Sequence, residues 1–82
     1  MINVEMKFYG PVRDIIKQDE FEFQVPAPYT GESAFEALVS LHPELRRWRT
    51  SLKLAVNLEY VPFDHPLRAG DEVSFIPPVS GG

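Results

Sequence analysis

The chain has 82 residues, no cysteine, and a net charge of −4 from 8 basic and 12 acidic side chains. That length holds one domain, burying roughly 60–65% of its unfolded surface, and the missing cysteines remove disulfides, zinc-thiolate sites and thiol nucleophiles. The acidic balance argues against nucleic acid, which demands a concentrated positive face, and suits a basic patch on another protein.

Ile2, Val4, Met6 and Phe8 alternate with polar residues, the period of a half-buried strand. This opening lacks the basic and apolar regions of a signal peptide. No apolar run approaches the roughly 20 residues that span a bilayer, so a cytoplasmic protein with no membrane association is expected. Gly10-Pro11 stops the strand, and residues 12–18 are expected to form a turn of helix within a connection. Residues 20–25, EFEFQV, alternate again and place Phe21, Phe23 and Val25 on one face, predicting an antiparallel partner for the first strand. PAPYTG, 26–31, reads as a loop.

Ser33 and Glu36 fit a capping box, which predicts a helix over 34–42 with Phe35, Leu38, Leu41 and Leu45 along one stripe. Pro43 interrupts it and opens a short helical piece through Trp48. Leu52, Leu54 and Val56 share one face of a further strand, and Asn57 suits a turn with positive φ. A short strand follows in EYVPF, ended by Pro62, and then an irregular connection over 63–71. The last strand turns Val73 and Phe75 inward. The order predicts an α+β domain over 1–76, a mixed sheet packed on one main helix, followed by an extended tail, 77–82.

Few of the polar residues suggest catalysis. His42 and His65 both precede prolines and lack further ligands nearby in sequence, so they read as turn residues and no metal site is expected. Asp64-His65 could be half of a nucleophilic triad. None of Ser40, Ser51, Ser74 or Ser80 lies in a nucleophile-elbow pattern, and a side chain of this loop capping backbone amides is the expectation. RRWR at 46–49 reads as a solvated helix end with Trp48 over the core rather than a base-stacking cluster. Phosphate-binding glycine loops are absent.

The outward positions carry more. Tyr9, Tyr60 and Ile76 fall where alternation predicts exposure, and Phe63 is placed with them, giving a docking patch on a small sheet. The segment PPVSGG follows the last strand. Pro77 and Pro78 stiffen the exit, Val79 and Ser80 continue it, and six extended residues reach about 20 Å. A carboxylate on Gly82 is ionised at neutral pH, with an unperturbed pKa of roughly 3.3–3.7, and becomes an electrophile only as an acyl-adenylate. Glycine at 81 and 82 lets a narrow channel close on bare backbone.

AVN at 55–57, FDHPL at 63–67, GDEVSF at 70–75 and PPVSGG at 77–82 resemble the small subunits of molybdopterin synthases, which are ubiquitin-like sulfur carriers. The resemblance implies a β-grasp fold with first and last strands adjacent and parallel. It also implies that an E1-like enzyme adenylates Gly82 with ATP and magnesium. A persulfide donor then supplies sulfur for a thiocarboxylate, and Gly81 permits access. The tail would insert into a large subunit within a heterotetramer and give sulfur to cyclic pyranopterin monophosphate. No tightly bound cofactor is expected on the chain, and catalytic side chains would belong to the partners. Tyr9, Tyr60 and Ile76 match the family's apolar docking positions, with two tyrosines making them more polar than usual there. Three alternatives stand beside this reading: a carrier for thiamine or tRNA thiolation, a ubiquitin-like modifier joined to lysines, and a protein-binding domain whose tail is incidental.

Overall fold

The computed structural model describes residues 1–78. The alternating stretches become strands: β1 (Ile2–Phe8), β2 (Glu20–Val25), β3 (Lys53–Val56), β4 (Glu59–Val61) and β5 (Glu72–Ile76). They form one sheet in the order β2-β1-β5-β3-β4. β1 pairs antiparallel with β2 and parallel with β5, opposing Phe8 to Phe75 and Met6 to Val73. β3 runs antiparallel to both β5 and β4. The first and last strands are therefore adjacent and parallel, as the resemblance implies.

Two helices connect these strands, α1 (Gly10–Ile16) and α2 (Gly31–Leu41), and a 3₁₀ turn over Pro43–Trp48 follows α2. α1 starts two residues before the expected stretch, with Pro11 in its first turn, where a missing N–H costs no helical bond. It buries Val12 and Ile16. On α2, Gly31, Ala34, Phe35, Leu38 and Val39 are buried, the i, i+3, i+4, i+7, i+8 set counted from Gly31. The expected stripe included Leu41, which instead lies 64% exposed in the last turn; Val39 takes its place beside Leu38.

The sheet's inner face meets α2 through aromatic rings. Phe35 stands edge-on to Phe75, with centroids 5.4 Å apart, and edge-on to Phe63 at 6.2 Å. Phe63 stacks on Phe75 at 5.9 Å. Offset and edge-to-face contacts of this kind add about 0.5–1.5 kcal/mol each beyond area burial. Met6, Leu54, Val4 and Val73 fill the space around them with almost no exposure.

α2 begins earlier than the Ser33–Glu36 pattern suggests. The cap is Thr30, held extended, and Ser33 is its reciprocal partner: the Ser33 N–H donates to Thr30 Oγ1 at 3.2 Å and the Thr30 N–H donates to Ser33 Oγ at 2.9 Å. Glu36 is drawn away from capping by Arg46. The next two orphan amides are met by backbone: Gly31 N–H donates to the His65 carbonyl at 3.2 Å and Glu32 N–H to the Phe63 carbonyl at 2.8 Å. Main-chain carbonyls of the 63–67 loop thus do the work expected of a loop side chain there.

This contact explains Gly31. A Cβ there would overlap the Leu54 Cδ2 methyl and lie 3.1 Å from the Phe63 carbonyl oxygen, so the helix approaches the sheet and loop only with a bare backbone. Gly31→Ala is expected to destabilise the fold by about 1–3 kcal/mol through overpacking, read as a lowered urea midpoint.

Candidate functional site

The outer face of the sheet, opposite α2, carries the residues that alternate with the core set. In one row the registers bring together Lys7, Ser74, Ala55 and Tyr60. The neighbouring row sets Ile76 opposite Lys53, with Tyr9 just beyond Phe8 on the adjacent parallel strand. Tyr9 is 44% exposed and Tyr60 69% exposed, while Ile76 is half-buried. Tyr60 stands two strands from β5, roughly 10 Å away at normal strand spacing. Small Ser74 and Ala55 fill the interval, so the face is a shallow saddle with aromatic groups on its rim.

Phe63 does not belong to that face. It follows β4 and Pro62, where the chain turns under the sheet, and its ring joins Phe35 and Phe75 on the helix side. The Arg49 guanidinium lies over it, 3.5 Å from the ring centroid. Sequence alternation could not assign a face to a residue beyond the end of its strand. Phe63 therefore leaves the outward docking set and joins the packing of the core.

The RRWR stretch also resolves into structure. Arg49 forks onto the Glu32 carboxylate while stacking on Phe63, and Arg46 grips Glu36 at 2.7 and 3.2 Å. Trp48 is half-buried against the core, as expected. These pairs lock the 3₁₀ turn onto α2 and leave Arg46 and Arg49, the first and last arginines of the cluster, engaged. A groove of about 630 Å³ runs between Pro26, Pro28 and the α2 residues Ser33, Ala37 and Ser40. Its two carboxylates, Glu32 and Glu36, are the ones held by arginine. Among the described residues, no group of three or more histidine or acidic side chains could hold a metal ion, and no helix is long and apolar enough to cross a membrane.

β5 delivers the chain to the tail beside the end of β1. Pro77 is half-buried and Pro78 exposed. Pro77 rests on Gly10: a Cβ on that glycine would sit 3.3 Å from Pro77 Cγ, and Gly10 has φ +54°. In the sequence Gly10 signals only a strand stop; the seat it makes for Pro77 arises from parallel pairing of segments 67 residues apart in the chain. Val79, Ser80, Gly81 and Gly82 lie outside the described residues.

One main helix, α2, laid across a mixed sheet, an open outer face and a C-terminal segment led off the central strand define a ubiquitin-like β-grasp protein. The comparisons agree. The model of the ThiS family matches residues 6–82, and the chain belongs to that family. It is 36% identical to the molybdopterin synthase sulfur carrier subunit of Escherichia coli, over 96% of this chain and 99% of that one. Among solved structures, SAMP1 of Haloferax volcanii superposes with a TM-score of 0.82 at 27% identity, covering 98% of this chain and 99% of that one. A chain in the complex of subunits 1 and 2 of molybdopterin-converting factor from Helicobacter pylori does so with a TM-score of 0.67 at 28% identity. That match covers 99% of this chain and all of the other.

Two outcomes follow from these contacts. Hydrogen bonding to Arg46 holds the Glu36 carboxyl below its usual range. Its stabilising contribution is present above the unfolded carboxylate's pKa of about 4.3 and is lost as pH falls through the lower folded value. Glu36→Gln should therefore flatten the acid limb of a urea-midpoint-versus-pH curve, by a small amount because both partners are exposed. Separately, Gly10→Ala should cost about 1 kcal/mol at this positive φ. The loss should shrink when Pro77 is also alanine, and a double-mutant cycle measures that coupling.

Proposed function

We propose that this chain is a sulfur carrier of molybdenum cofactor biosynthesis, the small subunit of a molybdopterin synthase. The observation that carries the reading is its match to carrier subunits along nearly the whole chain, with the family match running through Gly82. The likeness to a subunit of the Helicobacter pylori complex supports a larger partner subunit. The chemistry belongs to the Gly82 carboxyl. An E1-like enzyme, using ATP and magnesium, converts it to an acyl-adenylate. The outer sulfur of a persulfide donor displaces AMP to form an acyl disulfide, and a thiol then cleaves that S–S bond, becoming oxidised to a disulfide itself, to leave a thiocarboxylate. The large subunit then takes the tail and passes sulfur to cyclic pyranopterin monophosphate. One dithiolene consumes two carriers, which fits a heterotetramer acting in the cytoplasm.

Physical reasoning favours this division of labour. A thiocarboxylate is the stronger nucleophile, and attachment to protein keeps reactive sulfur from diffusing away. The tail needs length and thinness rather than side chains: six extended residues span about 20 Å, and glycine at 81 and 82 presents no Cβ to channel walls. The saddle rimmed by Tyr9, Tyr60 and Ile76 lies on the face beside the tail's exit and is the proposed contact with the large subunit. Likeness to SAMP1, the small archaeal modifier protein 1 of Haloferax volcanii, favours a second reading, as a protein modifier.

Intact-mass analysis after incubation with the activating enzyme, ATP, magnesium and a sulfur donor tests these readings. Exchange of one C-terminal oxygen for sulfur is expected, and the large subunit with the pterin precursor should then return the original mass. Replacing Gly81-Gly82 by alanines should slow transfer by about a hundredfold, the scale of an ångström-size misplacement. Transfer at the original rate from that variant would refute the tail mechanism, and adducts on lysines of other proteins would favour the modifier.

A further inference from the structure

The sheet has two open edges, β2 and β4, and the sequence treats them differently. β4 is three residues long and stops at Pro62, a short and blunted edge. β2 is six residues long, contains no proline or lysine, and pairs with β1 without a bulge from Val25 to Glu20. Its outer side is therefore a straight row of backbone groups without proline, bulge or covering element, guarded only by the charges of Glu20 and Glu22.

The register says which groups face outward. Phe8 N–H donates to the Asp19 carbonyl at 2.9 Å. Antiparallel alternation then turns the amides and carbonyls of Phe21, Phe23 and Val25 toward β1. Those of Glu20, Glu22 and Gln24 point away from the sheet. Among the described residues, none of the backbone bonds outside the ladders reaches these three.

The two sides of this edge differ in chemistry. On the outer face Glu20 and Glu22 are exposed, and Glu5 and then Glu72 continue the row beside Glu22. Lys7 is committed to Glu72 at 3.2 Å, so Glu5 and Glu22 stand as opposed like charges, an arrangement that costs a sheet stability. On the helix side Phe21 and Phe23 are half-buried, their rings stacked 5.9 Å apart.

We propose that the β2 edge accepts an extended segment of another protein as a sixth strand, one in which basic side chains alternate with apolar ones. Its backbone pairs with Glu20, Glu22 and Gln24. Its basic side chains neutralise Glu20, Glu22 and Glu5, and its apolar ones cover Phe21 and Phe23. A second copy of this chain is the wrong occupant, because antiparallel β2–β2 pairing brings glutamates together. The site is independent of the tail: β1 separates β2 from β5, so a carrier could hold this segment while its tail is engaged elsewhere.

The test uses the full chain and a synthetic peptide alternating lysine and valine, with a glutamate–valine peptide as control. Amide exchange of Glu20, Glu22 and Gln24 should slow with the lysine peptide alone, and binding should weaken as salt rises. Glu22→Pro removes an outward N–H that carries no ladder bond. It should leave the thermal midpoint nearly unchanged and weaken binding at least about tenfold. A Glu20→Lys/Glu22→Lys variant should reverse the peptide preference. Exchange slowed elsewhere, no binding, or binding indifferent to both variants would overturn the proposal. So would a β2-paired dimer in sedimentation.

Discussion

The parallel pairing of β1 with β5 is the constraint on which the rest of the structure depends. It joins the two ends of the domain at the centre of the sheet, setting Phe8 beside Phe75 and Met6 beside Val73. Parallel neighbours cannot be joined by a tight turn, so the chain between them must cross over. α2, the 3₁₀ turn and the β3–β4 hairpin fill that crossover and supply the layer that covers the inner face. The same pairing puts Gly10 under Pro77 and so decides where the tail leaves the sheet.

A second junction holds the crossover in place. The 63–67 loop gives its carbonyls to the first amides of α2, Phe63 packs its ring against both Phe35 and Phe75, and Arg49 closes over that ring while gripping Glu32. Backbone, aromatic and ionic contacts meet within a few residues, and Gly31 is the point where they leave no space for a side chain. At the other end of the sheet, Asn57 braces the hairpin to β5: its amide group donates to Asp71, and its oxygen accepts from the Glu72 N–H. Asn57 and Leu58 both take positive φ there. The asparagine was legible as a turn residue; the leucine beside it carries no such signal.

The outcome is a stiff domain whose proposed working parts lie at its margins. The helix side is closed by packing and ion pairs, and the outer face stays open, with Tyr9, Tyr60 and Ile76 around small residues. A carrier suits this arrangement, because chemistry done by partner enzymes requires of the domain only a surface to recognise and an arm to insert. The acidic row through Glu22, Glu5 and Glu72 and the bare edge of β2 belong to the same outward-looking economy of design.

Local pattern by itself determined the strands, because a period of two in hydrophobicity is written in neighbouring residues: β1, β2, β3 and β5 are legible within a residue or two. The Pro43 break, the Asn57 turn and the composition of the 77–82 segment are local in the same sense. Tertiary structure alone decided the matters that depend on distant partners. Thr30 rather than Ser33 caps α2 because the 63–67 loop meets the helix there; Val39 rather than Leu41 is buried because of where the sheet lies; Phe63 faces inward because the chain turns after Pro62. Gly10 is a seat for Pro77 only once β1 and β5 lie side by side. Periodicity reports which face of an element is apolar, but what that face touches is set by pairings dozens of residues apart.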